Sequence, residues 1–213
     1  MINHSIEKPI KKGGFTNNLS RLFTKFGPKQ GWATFLILLG LMLTTGYSLR
    51  EGTWVPTPGL IIIIFCSTTL GMFLSRISPH WVISHTIGIL TGVILCIHFA
   101  GTLTEEVLLI EKAYEISYRV DEWYSKINQG GMSQDILPLS LAILALGWIM
   151  GFFGSWCTFK FSNAWLILLI AGIAILTNLS FLPEKFNNRF FIFMLFGLML
   201  LSQTQLFNKK KQW

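Results

Sequence analysis

Pro58-Gly-Leu-Ile-Ile-Ile-Ile-Phe-Cys-Ser-Thr-Thr-Leu-Gly-Met-Phe-Leu74 is the stretch that decides the fold. It holds no charged residue, and Ile61–Ile64 run apolar without a break. A strand of a membrane barrel alternates apolar and polar side chains, so this run is not one. A backbone placed in hydrocarbon must satisfy its own N–H and C=O groups, and a helix does so within one segment. Five more runs share the pattern: Gly31–Leu49, Trp81–Ala100, Ile136–Trp156, Ala164–Phe181 and Phe190–Phe207. Each is close to the ~20 apolar residues that cross a ~30 Å hydrocarbon layer as helix. The expected fold class is therefore all-α: a polytopic membrane protein with six transmembrane helices. A water-soluble helical core is the alternative, but six such runs leave too little polar face for water.

Composition agrees. The chain of 213 residues is 52% hydrophobic and only 13% charged, with a mean hydropathy of +0.55. Soluble domains carry about 25% charged residues. The net charge is +7. With the N-terminus placed in the cytoplasm, eleven Lys/Arg and one acid (Glu7) fall inside, giving +10. Six Lys/Arg and nine acids fall outside, giving −3. Lys and Arg in short loops set orientation, so both termini are expected in the cytoplasm; a bacterial inner membrane is the expected location. The basic inner face then meets anionic lipid headgroups, and no nucleic-acid partner is needed to explain the charge.

Residues 1–30 read as a basic cytoplasmic tail and residues 208–213 as a basic cytoplasmic end, with a six-helix domain over 31–207. Leu19–Phe26 reads either as a short interfacial helix stopped by Gly27-Pro28 or as a solvated tail. Trp54 is a candidate interfacial anchor. The longest polar connection, Thr102–Asp135, repeats Leu109, Ala113, Ile116, Val120, Trp123 and Ile127 at helical spacing. Glu115→Arg119 and Glu122→Lys126 are acid-first i,i+4 pairs on the opposite face. A helix is expected over about 104–127, starting at Thr104, ended by Gly130-Gly131, and lying along the outer membrane surface or capping the bundle. It is too polar to span. Trp123 and Tyr124 on it are a candidate partner surface.

Small residues one turn apart mark where membrane helices approach closely. Such stripes are Ser67, Gly71, Ser75, then Ser84, Gly88, Gly92 with Cys96, and Gly147, Gly151, Ser155. Packing within one bundle is the first reading, and a homodimer through one stripe is the other. Catalytic and cofactor signals are lacking. No HExxH, GxSxG or phosphate-binding glycine loop occurs, and no CxxC. Cys66, Cys96 and Cys157 sit in or at the ends of apolar runs and read as small buried hydrophobes. His85 and His98 would lie ~20 Å apart along one helix, too far to share a metal. A catalytic pair of His80 and Cys157 would lack an orienting group and an oxyanion site. Asn178 reads as a polar group that hydrogen-bonds a neighbouring helix.

One resemblance adds to this. Arg21-Leu22, Gly31-Trp32-Ala-Thr34, Gly52-Thr-Trp54-Val55, Gln134-Asp135-Ile-Leu-Pro138, Leu146-Gly147-Trp148 with Trp156, Thr177-Asn178-Leu-Ser-Phe181-Leu-Pro183 and Lys209-Lys-Lys-Gln-Trp213 follow one another along nearly the whole chain. In order and spacing they resemble the N-terminal membrane region of transglutaminase-like enzymes of the TgpA type. That resemblance implies a further membrane helix and an extracytoplasmic papain-like domain with a Cys–His–Asp triad beyond such a region. No residue of this chain matches the triad. The expected role is thus a non-catalytic anchor or scaffold, as a fragment, a split-gene product or a stand-alone module. A transglutaminase-like domain, in cis or in trans, is its candidate partner. A small transporter or permease-like subunit is the rival, with Thr86, Thr91, Cys96, His98 and Asn178 as the sparse candidates for a midplane cavity.

Overall fold

A computed structural model describes residues 27, 28, 30–52, 55–77, 80–131, 133–181 and 187–212. These form seven α-helices and one 3-10 turn, and no strand occurs among them. The helices are α1 (Trp32–Glu51), α2 (Leu60–Ile77), α3 (Trp81–Ala100), α4 (Leu109–Asn128), α5 (Leu137–Phe161), α6 (Trp165–Phe181) and α7 (Asn187–Gln212). The turn is Gly101–Leu103. Leu19–Phe26 and Trp54 lie outside the described residues.

Five helices are long and apolar enough to cross a bilayer: α1, α2, α3 with its following turn, α5 and α7. The sixth expected span, α6, is apolar and 17 residues long. That is the short end of the ~17–25 residues seen in spanning helices. Several helices outrun their apolar runs. α5 continues to Phe161 and α7 to Gln212. Hydropathy marks where hydrocarbon ends, whereas backbone hydrogen bonding carries a helix on into the headgroup layer. α5 stops where Ser162 turns left-handed, at φ 54°.

α2 and α5 form the most extensive helix pair and lie at the centre of the bundle. α1 packs on α2, α6 and α7, and α3 packs on α5 and α2. The core runs through Leu38, Leu41 and Met42 of α1, Ile63 and Ile64 of α2, Leu144 of α5, and Ile175 of α6. α3 and α7 are peripheral, with only 22% of each apolar span buried.

Polar ties hold the two ends. At one end the Asn178 Nδ2 of α6 donates to the Ser48 carbonyl of α1 at 2.6 Å. Beside it Arg189 of α7 donates through Nε (2.9 Å) and Nη2 (2.5 Å) to Glu51 Oε1. At the other end Gln30 Nε2 donates to the Thr158 carbonyl at 2.7 Å. Asn208 Nδ2 donates to the Ser162 carbonyl at 3.1 Å, and Arg76 donates to the Gly27 carbonyl. The end of α1, the end of α6 and the start of α7 therefore share one side of the bundle.

α4 differs from its expected limits. It begins at Leu109, not Thr104, and ends at Asn128. Thr104 is extended at φ −105°, ψ 163°, and its hydroxyl donates back to the Gly101 carbonyl at 2.9 Å, closing the turn after α3. A Thr spent on the preceding turn is not available to cap the helix after it. The far end matches the Gly-Gly signal. Gly130 takes φ +76°, and its N–H and that of Gly131 donate to the Ile127 and Lys126 carbonyls.

Candidate functional site

The small-residue stripes of α2 and α5 face each other. Ser67, Gly71 and Ser75 are buried on α2, and Gly147, Gly151 and Ser155 on α5. A Cβ on Gly71 would stand 2.5 Å from the Phe152 carbonyl oxygen and 3.1 Å from Ser155 Cβ. One on Gly151 would run into the Ser67 side chain, and one on Gly147 would stand 2.8 Å from Leu60 Cδ1. The Ser155 hydroxyl donates to the Thr68 carbonyl at 2.7 Å, across the seam. With no hydrophobic drive between helices in lipid, such backbone proximity and interhelical bonding is what holds them.

The α3 stripe behaves differently. Ser84, Gly88, Gly92 and Cys96 are buried; the Ser84 hydroxyl donates to the Leu74 carbonyl of α2 at 3.4 Å, but the two glycines meet large side chains rather than small ones. Gly88 lies under the Phe152 ring and Gly92 under the Trp148 indole. The Trp148 Nε1 donates to the Gly88 carbonyl at 3.1 Å, so the one polar atom of that indole is satisfied inside the bundle. Spacing alone did not distinguish a Gly that admits another backbone from a Gly that admits an aromatic ring.

α4 crosses one end of the bundle, in contact with both α3 and α5. Its inward face is the one read from spacing, with Ile116 buried and Ala113, Val120 and Trp123 half-buried. Leu109 and Ile127, at the two ends of that face, stay exposed at 41% and 44%. At 100° per residue the charged side chains Glu111, Glu115, Arg119, Glu122 and Lys126 form a second face. A third face went unread in the sequence. Ile110, Tyr114 and Tyr118 follow one another at four-residue spacing and are 84%, 75% and 59% exposed. The signal was present at i, i+4 and i+8, but it was masked by the stronger apolar repeat beside it. Of the candidate partner surface, Trp123 is half-buried and Tyr124 is exposed.

The helix is fastened at Arg119. Its guanidinium clasps Asp135 with two bonds, Nε to Oδ2 at 2.7 Å and Nη2 to Oδ1. Asp135 Oδ1 also accepts the Leu137 N–H at 3.0 Å and so caps the start of α5. Sequence spacing paired Arg119 with Glu115; the guanidinium bonds instead to Asp135, which the Gly130 turn returns to it. A fork-shaped donor prefers a carboxylate it can meet with two parallel bonds. The second expected pair is present, Glu122 with Lys126 at 2.7 Å. Hydrogen bonding to Arg119 is the largest influence holding the Asp135 carboxyl below the usual carboxylate range, and partial burial works against it.

Beneath α4 an apolar groove of about 500 Å³ runs between α3 and α5. Val93 and Ile97 wall one side, and Ala145, Ile149 and Phe153 the other. Ala113, Ile116, Ser117 and Val120 of α4 close its end. A second apolar groove of about 350 Å³ lies between α5 and α6, reaching Thr177 and Asn178. Asn178 itself is 2% exposed, and its Oδ1 has no partner among the described residues.

The polar candidates for a transport path are not brought together. Thr86 and Thr91 donate to carbonyls of their own helix, and His98 is exposed on α3. Only Cys96 lines the first groove and only Asn178 the second. His85 bonds the Trp81 carbonyl through Nδ1 at 2.6 Å and lies among Phe152, Phe153 and Trp156. No group of three or more His, Cys, Asp or Glu capable of holding a metal occurs among the described residues. Comparison with known protein families, curated proteins and solved structures finds no match to this chain.

Proposed function

We propose that this chain is a non-catalytic membrane anchor and scaffold, with both termini in the cytoplasm of a bacterial cell. It would present α4 on the outer side to a transglutaminase-like domain of the TgpA type. The observation that carries this reading is the fastening of α4. A helix tied by a two-bond Arg–Asp clasp and seated on Ile116 is a rigid platform, and its Glu111, Glu122, Tyr124 and Lys126 side chains are exposed. Preorganised surfaces of this kind lose little freedom when a partner docks. The charge asymmetry between the two sides supports the orientation. The dispersed hydroxyls of Thr86 and Thr91, each bonded within α3, give the transporter reading little to build a path from.

The test is capture, by the tagged chain solubilised from its native membrane, of a polypeptide carrying a transglutaminase-like Cys–His–Asp domain. Capture should fall in Tyr124→Ala with thermal unfolding unchanged. Trp123→Ala should weaken it through loss of the α4 seat. Absence of such a polypeptide, or equal capture by wild type and both variants, would overturn the proposal. Solute flux through liposomes containing the chain alone would favour the rival.

A further inference from the structure

We propose that the groove between α3 and α5 seats one acyl chain of a membrane phospholipid, whose polar end emerges beside Tyr114, Ser117 and Tyr118 of α4. The groove's volume, about 500 Å³, falls in the ~300–1,000 Å³ range of small-ligand sites. It lies between two helices of membrane-crossing length, so hydrocarbon is its surroundings. Its lining offers little to a polar solute, with Cys96 and Ser117 as its only thiol and hydroxyl. The Trp148 Nε1 is spent on the Gly88 carbonyl, and the Ser117 hydroxyl on the Tyr114 carbonyl at 2.7 Å. An apolar cavity of this kind also does not hold water.

The shape of the groove's end selects among apolar occupants. Ala113, Ile116 and Val120 close it from above. A membrane-spanning helix, some 10 Å across, would have to continue straight through α4 to reach the aqueous layer. A lipid chain ends within the hydrocarbon, and its flexible head can leave sideways. On that side stands the third face of α4, with the amphipathic rings of Tyr114 and Tyr118 exposed. Tyrosine is enriched at the boundary between hydrocarbon and headgroups, where its ring is buried and its hydroxyl is wet. The exposed Tyr face and the groove are independent features, and both fit the same amphiphile.

The experiment uses the full chain, purified in mild detergent from bilayers of phosphatidylethanolamine and phosphatidylglycerol. Native mass spectrometry counts the phospholipid retained. Wild type should keep one molecule per chain. Ala145→Phe and Ala113→Phe, which fill the groove from α5 and from α4, should bind it roughly tenfold more weakly. Leu169→Phe, on the exposed face of α6, should keep it. Should the filling variants fail to fold, wild type is photolysed in bilayers containing a phosphatidylglycerol with a diazirine in its acyl chain. Adducts should then concentrate on 88–97 and 145–153 over 166–170. A wild-type chain stripped of lipid overturns the proposal. So do folded filling variants that retain lipid as wild type does, even labelling of all exposed faces, or a second protein chain occupying the groove.

Discussion

Breaking the Arg119–Asp135 clasp should release α4 without disturbing the bundle beneath it. The two side chains are 29% and 21% exposed, so the pair is neither a free surface contact nor fully buried. Exposed pairs are worth ~0.2–1 kcal/mol, and hydrogen bonds to charged groups ~1.5–3 kcal/mol. A two-bond pair at this depth belongs between them, at about 1.5 kcal/mol, or roughly tenfold in the opening of α4. Asp135→Asn removes the charge while keeping an oxygen for the Leu137 N–H, so it reports the clasp alone. Asp135→Ala also removes the bond from the Leu137 N–H, worth about 1 kcal/mol, and should open α4 about fivefold more than Asp135→Asn, roughly sixtyfold over wild type. The assay is amide hydrogen exchange in lipid nanodiscs, read on peptides across 109–128 and, as a control, across α1 and α7. The folded-state pKa of Asp135 is depressed. The clasp is therefore at full strength above the unfolded carboxyl value of ~3.9 and is lost as pH falls through the lower folded value. Protection of α4, corrected for intrinsic exchange, should stay flat from neutral pH down to about 4 and decline below it. Unchanged α4 exchange in both Asp135 variants, or an equal rise throughout the bundle, would refute the reasoning.

Other consequences are open to measurement. Gly71→Ala would press a methyl against the backbone oxygen of Phe152 and should cost ~1–3 kcal/mol in thermal unfolding. Gly172→Ala, whose Cβ would meet nothing closer than the Phe193 ring at 3.7 Å, should be close to neutral. Asn178→Ala removes the bond to the Ser48 carbonyl, and interhelical bonds in membranes average ~0.6 kcal/mol with a maximum near 1.7. A loss well above that range would mean Asn178 does more than join α6 to α1. Alkaline phosphatase fused after Gly131 should be active and the same enzyme fused after Asn208 inactive; the reverse pattern would invert the proposed orientation.

What the sequence determined by itself was the helical, membrane-crossing character of the chain. Runs such as Pro58–Leu74 answer to the solvent: hydrocarbon offers no hydrogen bonds, so an uncharged stretch of that length has one economical structure. The small-residue stripes and the inward face of α4 were legible for a similar reason, since helical period is a local property. What only the tertiary structure decided was which surfaces meet. Gly71 takes a backbone while Gly88 and Gly92 take the rings of Phe152 and Trp148, although all three read alike in sequence. Arg119 leaves its helical neighbour Glu115 for Asp135, because the turn at Gly130 brings α5 back alongside. Thr104 closes the turn after α3 instead of starting α4. The groove needs three helices to exist at all, and no single stretch of chain contains it. Local pattern sets what each segment becomes; only the packed bundle sets which of its faces remains open.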